Sequence, residues 1–393
     1  MVMRRTTYGA MLLAVPISTC GGEGDAIPPP QAPPPPSLVA AAPPPAAPER
    51  PKPALIDLQK QAVAAAGAAM NAHDAKRFSE LFAPDATVSE YGLGEVKGRE
   101  AIVGGLQKAF GAFPDFKIGV SKIFVKNDLV VQEWVMTGTN KGEFKGAKPT
   151  NKTIGVRGVE VLTFTPEGLI KQAHRYFDTS TVSSQLGLTN SPARPVATLP
   201  SGEPEWHIAK GTPEEDKLVE VAKAITGAFE KKSEAEFVGA LSENVSWSNV
   251  TQPKDMSGKA SAKQFFSMFT KAFPDAKFSS NALFGVDDVV VSESSMTATH
   301  AGPLGPLKPT KKPVTMHGLD IMVVKDGKVA SGSSYSNSFE LLGQEGLLPK
   351  PKAAKAESDK KAGGDKKAAE KKETKTASDK RRKSDPPRGR FMR

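Results

Sequence analysis

The sequence predicts an α+β protein in which one domain occurs twice, each copy packing its helices on one face of a curved antiparallel sheet. Three observations predict it. Residues 137–150, TGTNKGEFKGAKPT, return as TATHAGPLGPLKPT at 297–310, an offset of 160 positions. Each copy opens with Ala-, Lys- and Glu-rich stretches that carry apolar residues at helical spacing. Each then closes with runs of Val, Ile, Phe and Thr that read as a strand meander. Helices first and antiparallel strands afterwards argue α+β rather than a parallel sheet.

The repeat extends well beyond the turn. Phe113-Pro114-Asp115 returns as Phe273-Pro274-Asp275, and Asp128-Leu129-Val130-Val131 as Asp288-Val289-Val290-Val291. Glu133, Met136 and Gly158 match Glu293, Met296 and Gly318; after the loss of one residue, Gly168, Tyr176 and Gln185 match Gly327, Tyr335 and Gln344. A period this long suits a whole small domain, not a solenoid unit. Within each copy the spacing predicts a first helix over 55–72 and 214–231, and a second helical piece over Ala75–Phe82 and Glu234–Leu241. A short strand follows (Ala86–Tyr91; Val245–Asn249), then a helix entered near Gly98 or Gly258, then four strands after Phe-Pro-Asp.

Phe-Pro-Asp, the run DLVVQEWVMTGTNKGEF with KPTNKTIGVRGVEVLTF, Gly168 and the closing DTSTVSSQLGL together resemble the SnoaL-like polyketide cyclases of the nuclear transport factor 2-like superfamily. The resemblance covers roughly 55–190 and 214–348. It implies two tandem cone-shaped domains, each enclosing an apolar pocket. That fold hosts cyclases, isomerases, dehydratases and plain binding modules, so the fold alone does not choose among them.

Both ends of the chain differ from the repeats. In MVMRRTTYGAMLLAVPISTC, Arg4 and Arg5 precede a short apolar stretch, Ala10–Ile17. This has the build of a secretory signal over 1–19 and is too short for a membrane-spanning helix. Ile17-Ser18-Thr19-Cys20 resembles a lipoprotein signal, which implies lipid on Cys20 and a membrane partner, with Gly21 pointing to the outer membrane of the cell envelope. An ordinary exported protein with a stray cysteine is the alternative. Cys20 is the only cysteine, so no intramolecular disulfide is available. Residues 28–53 hold thirteen prolines among twenty-six residues. Such a stretch favours extended polyproline II and would reach up to roughly 80 Å from its anchor.

From Lys350 to Arg393 there are 17 Lys or Arg and 7 Asp or Glu, a net +10 that equals the charge of the entire chain. The basic character therefore belongs to the tail. Its composition predicts disorder, and its charge suits salt-sensitive contact with an anionic surface or polymer. A solvated solubility tail is the plainer reading. With no aromatic residue before Phe391, base stacking finds little support. The expected organisation is signal 1–19, anchor and Pro-rich linker 20–53, domain 1 at 54–190, linker 191–212, domain 2 at 213–348 and tail 349–393.

No phosphate-cradling Gly-rich loop, nucleophile elbow or His-Glu-x-x-His occurs, and His73, His174, His207, His300 and His317 lack metal-ligand spacing. No cofactor is expected. Alternation along the last strand of copy one places His174, Tyr176 and Asp178 on one face. The resemblance implies polar catalytic groups at the inner end of the pocket, where burial would make Asp178 a usable base for a proton beside a carbonyl. Copy two has Ser333, Tyr335 and Asn337 there, so its ionisable partners are gone. Asp178 precedes Thr-Ser-Thr and could equally cap a turn. Tyr91, Trp134, Glu160, Trp247, His300, Tyr335 and Asn337 are the pocket candidates; Glu133 suits a cross-strand pair with Arg157 on a solvent face. The favoured reading is an envelope-anchored, non-catalytic protein binding a small apolar ligand, its two domains docked as an internal pseudo-dimer. A cyclase or isomerase using Asp178 is the first alternative, and an assembly protein with a surface-gripping tail the second.

Overall fold

The structure, a computed structural model, describes residues 53–192 and 194–348. The signal segment, Cys20, nearly all of the Pro-rich segment and the basic tail lie outside them. Domain 1 runs α1 (Leu55–Asn71), α2 (Ala75–Glu80), β1 (Phe82–Glu90), β2 (Gly94–Lys97), α3 (Arg99–Ala112), β3 (Lys117–Lys126), β4 (Leu129–Thr139), β5 (Thr153–Phe164), β6 (Ile170–Phe177), α4 (Thr179–Gln185) and β7 (Glu205–Ile208). Domain 2 repeats the order as α5 (Pro213–Lys231), α6 (Glu234–Gly239), β8 (Leu241–Asn249), β9 (Met256–Ser257), α7 (Gly258–Ala272), β10 (Lys277–Val286), β11 (Val289–Thr299), β12 (Pro313–Lys325), β13 (Lys328–Tyr335) and α8 (Ser338–Glu345). This is the α+β architecture that the sequence predicts. Among the described residues, no helix is long and apolar enough to cross a membrane.

The sheets are ordered β2-β1-β6-β5-β4-β3-β7 and β10-β11-β12-β13-β8-β9. Most pairs are antiparallel, but β1 lies parallel to β6 and β8 parallel to β13. Two boundaries differ from expectation. The second helical piece stops at Glu80, and Phe82 already belongs to β1, whose register shifts between Phe82 and Thr87. That shift interrupts the alternation by which a strand is recognised. The expected linker 191–212 also contributes β7, which pairs parallel with β3 over Lys122–Val125 and covers the sheet edge.

Local chemistry explains the helix ends. α5 starts at a capping box: Thr212 accepts from the Glu215 amide while the Glu215 carboxylate accepts from the Thr212 amide, with Pro213 in the first turn. α1 buries Gln59, Ala62, Val63, Ala66 and Ala69, a single stripe at helical spacing. The recurring turn is a clasp on a helix end. Lys141 and Gly142 donate to the Ala112 carbonyl, and Ala301 and Gly302 to that of Ala272, satisfying acceptors that the helix leaves unpaired. A Cβ at Gly142 would stand 2.1 Å from the Gly111 carbonyl oxygen, and one at Gly302 2.2 Å from that of Lys271, so both copies need glycine here. Asp115 and Asp275 accept from the backbone and hydroxyl of Thr139 and Thr299, which accounts for the repeated Phe-Pro-Asp.

Each sheet is buried on both faces. One face packs under its own helices, in cores that include Phe78, Phe82 and Ile123 for domain 1 and Phe237, Leu241 and Phe266 for domain 2. The opposite faces meet in a third core, where Phe124, Val131, Val159 and Tyr176 pack with Phe284, Val291, Leu319 and Tyr335. The polar contacts across it are reciprocal. Tyr176 donates to Glu293 over 2.8 Å, and Tyr335 donates to Glu133. The Thr179 amide donates to Asn337 over 3.1 Å, and the Ser338 amide to Asp178 over 3.0 Å.

Candidate functional site

Because side chains alternate along a strand, β4, β5 and β6 send every second residue to the helix side and the rest to the other domain. On the helix side, between the sheet, α1 and α3, lies a cavity of about 920 Å³ lined by Val63, Leu106, Phe116, Ile154 and other apolar groups. Its polar floor is one network. Gln132 donates to Glu160, Arg175 donates to Glu160 over 3.0 Å, and Arg175 also reaches Glu90 at 3.3 Å. Burial pulls the Arg175 guanidinium down, but Glu160 and Glu90 outweigh it and hold the group firmly charged. Trp134 lines the wall, and its buried indole N–H has no partner. Its ring packs against Gly158, where a Cβ would come within 2.2 Å.

Domain 2 encloses a second cavity of about 470 Å³. At its floor Trp247 donates to Ser334 over 2.7 Å, and Ser334 donates to Asp320. Burial pushes the Asp320 carboxyl up to about 6, and the Ser334 hydrogen bond opposes this only in part. Trp247 sits against Gly332 much as Trp134 sits against Gly158. The register of the strands aligns Asp320 with Glu160, Ser334 with Arg175, Ser294 with Trp134 and Asn249 with Glu90. The two cavities share a place in the fold but not a chemistry.

Of the residues expected at the pocket, Trp134 and Glu160 line the first cavity and Trp247 lines the second. The trio His174, Tyr176 and Asp178, at and just past the end of β6, does not. His174, at 2.7 Å, and Tyr176 both bond Glu293 of the other domain, and Asp178 caps α4 through the Thr181 amide at 2.8 Å. The cavity-facing residues of that strand are Arg175 and Phe177, one position out of phase. Parity groups side chains correctly, but it cannot name the cavity face when both faces are buried. Tyr91 stacks on His317 at 4.0 Å and Tyr176 at 5.1 Å, while Tyr335 meets Glu133 and Arg157. Asn337 bonds the Tyr91 carbonyl and Thr179, so these three belong to the contact between domains. His300 is fully buried and pairs with Glu345. Glu133 is not on a solvent face; its side chain is 12% exposed and shared by Arg157 and Tyr335. Arg175 and Asp320 are the functional groups that strand parity passed over. The signal was the pairing of acids at 160 and 320 with different partners, Arg175 and Ser334. Among the described residues, no group of three His, Cys, Asp or Glu could hold a metal ion.

The model of the family "SnoaL-like polyketide cyclase" matches residues 60–186 and 219–345. No curated protein matches the chain. Among solved structures, IdmH from Streptomyces antibioticus, described as a candidate polyketide cyclase, is 28% identical, covering 33% of this chain and 98% of its own at a TM-score of 0.30. AclR from Streptomyces galilaeus, described as a candidate hydroxylase, is 25% identical, covering 34% and 83% at 0.31. A SnoaL-like candidate cyclase from Jannaschia is 14% identical, covering 36% and 99% at 0.33. With a match over each of its two domains, the chain belongs to the SnoaL-like polyketide cyclase family.

Proposed function

We propose that this is an envelope-anchored binding protein whose domain 1 holds a small apolar molecule, and whose two domains work as an internal pseudo-dimer. The observation that carries the reading is the 920 Å³ cavity, at whose floor Arg175 is already paired with Glu160 and Glu90. Glu160 accepts from both Gln132 and Arg175, so the acid at the cavity floor is not a lone proton acceptor. The unpaired Trp134 N–H supports a ligand with one hydrogen-bond acceptor, such as a carbonyl or ether oxygen, on an apolar body. Native mass spectrometry of the purified protein is expected to show a bound apolar species that denaturation releases and that Trp134→Ala loses. A wild-type protein that is empty and takes up no hydrophobic probe would overturn the reading.

The anchor rests on Cys20 behind its short apolar segment. Wild type is expected in the membrane fraction and Cys20→Ser in the soluble fraction; unchanged fractionation would remove the anchor. The Lys-rich segment 350–393 would then hold an anionic polymer or lipid surface by its charge. A second reading, proton abstraction beside a carbonyl, has one observation in its favour: the half-buried Asp320 carboxyl at the cavity floor, pushed up to about 6. That chemistry would lie with Asp320 in domain 2 rather than with Asp178.

A further inference from the structure

The floor of the second cavity lacks both the cation and the second acid of the first, Ser334 standing for Arg175 and Asn249 for Glu90, which leaves Asp320 as its single charge. Domain 1 keeps an acid, Glu160, and a cation, Arg175, in contact at 3.0 Å. Domain 2 keeps the acid as Asp320 but has Ser334 where Arg175 stands, and among the described residues no Lys, Arg or His forms an ion pair with Asp320. A half-buried carboxylate at the floor of an apolar cavity with no cation beside it is costly, and a chain that retains one leaves a place for a positive charge from outside.

The walls around that place are aromatic. Phe229, Phe237, Phe265, Phe269, Phe278 and Trp247 all line the cavity. Phe229 sits at the centre of the cluster, its ring 5.0 Å from Phe237, 5.2 Å from Phe269 and 6.3 Å from both Phe265 and Phe278. Ring faces attract an alkylated ammonium ion within about 6 Å, most strongly away from water. The two floor donors, Trp247 and Ser334, are already spent along the chain that ends on Asp320.

We infer that the domain 2 cavity is a binding site for a small organic ammonium ion, paired with Asp320 and enclosed by this aromatic cage. The ammonium takes the role that the Arg175 guanidinium fills in domain 1. The inference needs only an ionised carboxylate, so it stands apart from any ligand of the first cavity and from proton transfer. The other titratable groups lining the cavity are Lys254 and Asp255, and Asp255 is paired with Arg194. Binding therefore follows the ionisation of Asp320: it is present at pH 8 and weakens as the pH falls through about 6.

The test is isothermal titration calorimetry of the full chain in amine-free buffer at pH 8, with tetramethylammonium, choline and benzyltrimethylammonium chlorides. 3,3-Dimethylbutan-1-ol, the uncharged counterpart of choline, is the control. At least one of the three cations is expected to bind, and choline at least tenfold more tightly than the alcohol. Asp320→Asn keeps the Ser334 contact and is expected to lose at least tenfold for the cations but not for the alcohol. Ser334→Arg, which restores the internal cation of domain 1, is expected to abolish cation binding. Failure of all three cations to bind wild type overturns the inference. So does equal binding of choline and the alcohol, or cation binding unchanged in both variants.

Discussion

Replacing Arg175 with Met is expected to destabilise the protein by about 3–5 kcal/mol, the scale for breaking a buried ion pair by removing one partner. The substitution leaves Glu160 and Glu90 at the cavity floor without the cation that bonds both. For domains of this size that lowers the melting temperature by roughly 6–20 °C, at about 2–4 °C per kcal/mol. Adding Glu160→Gln is expected to recover part of the loss, because the worse of the two stranded charges is then gone. A change under about 1 kcal/mol in thermal or urea unfolding, the size typical of an exposed pair, would show that the network is solvated and not the floor of a closed cavity.

The second large effect has the opposite sign. Asp320→Asn is expected to stabilise the protein at pH 8 by up to about 3 kcal/mol and to change little at pH 3.5. Burial raises the Asp320 carboxyl from 3.8 to about 6, a shift of about two units at about 1.4 kcal/mol each. Below pH 3.8 the group is protonated both folded and unfolded, and the penalty is absent. Between about pH 4 and 6 the unfolded chain releases the proton first, so wild-type stability falls against the variant as pH rises. Above 6 the deficit is complete. Melting curves of both proteins across this range check it; parallel curves would mean that Asp320 is solvated. An ammonium salt at pH 8 should close the gap for wild type alone, since a ligand that binds only the folded state stabilises it.

Much of this was legible in the sequence, and the remainder was hidden for a physical reason. The repeat at residues 137–150 and 297–310 marks both domains, because a glycine-bearing clasp must reach the end of a helix in each. Tyr335 reads as a pocket residue and Glu133 as solvent-facing, yet Tyr176, Tyr335, Glu133 and Glu293 bond across the domain boundary. Gln185 and Gln344 hold the ends of β5 and β12 through Gly155 and Thr315. What two copies must share is how they fold and meet; what they are free to change is the cavity, where Arg175 and Ser334 differ. The strand alternation that grouped His174 with Tyr176 was sound, but both faces of the sheet are buried, so burial carried no sign of direction. Trp134 and Trp247, pocket candidates from the sequence, do line the cavities, where the structure seats each ring against a glycine, Gly158 or Gly332. The short strand β7 was not legible, since four residues in a Pro- and Gly-containing stretch carry no period to recognise.

That the two domains form one unit through the core between their sheets is tested most directly by scanning calorimetry of wild type and Leu319→Ala. Leu319 is fully buried in that shared core, and truncating it should cost about 2–5 kcal/mol. The account predicts one transition whose calorimetric and van't Hoff enthalpies agree, shifted as a whole by the substitution. Two separate transitions, with Leu319→Ala lowering that of domain 2 and leaving that of domain 1 in place, would contradict it.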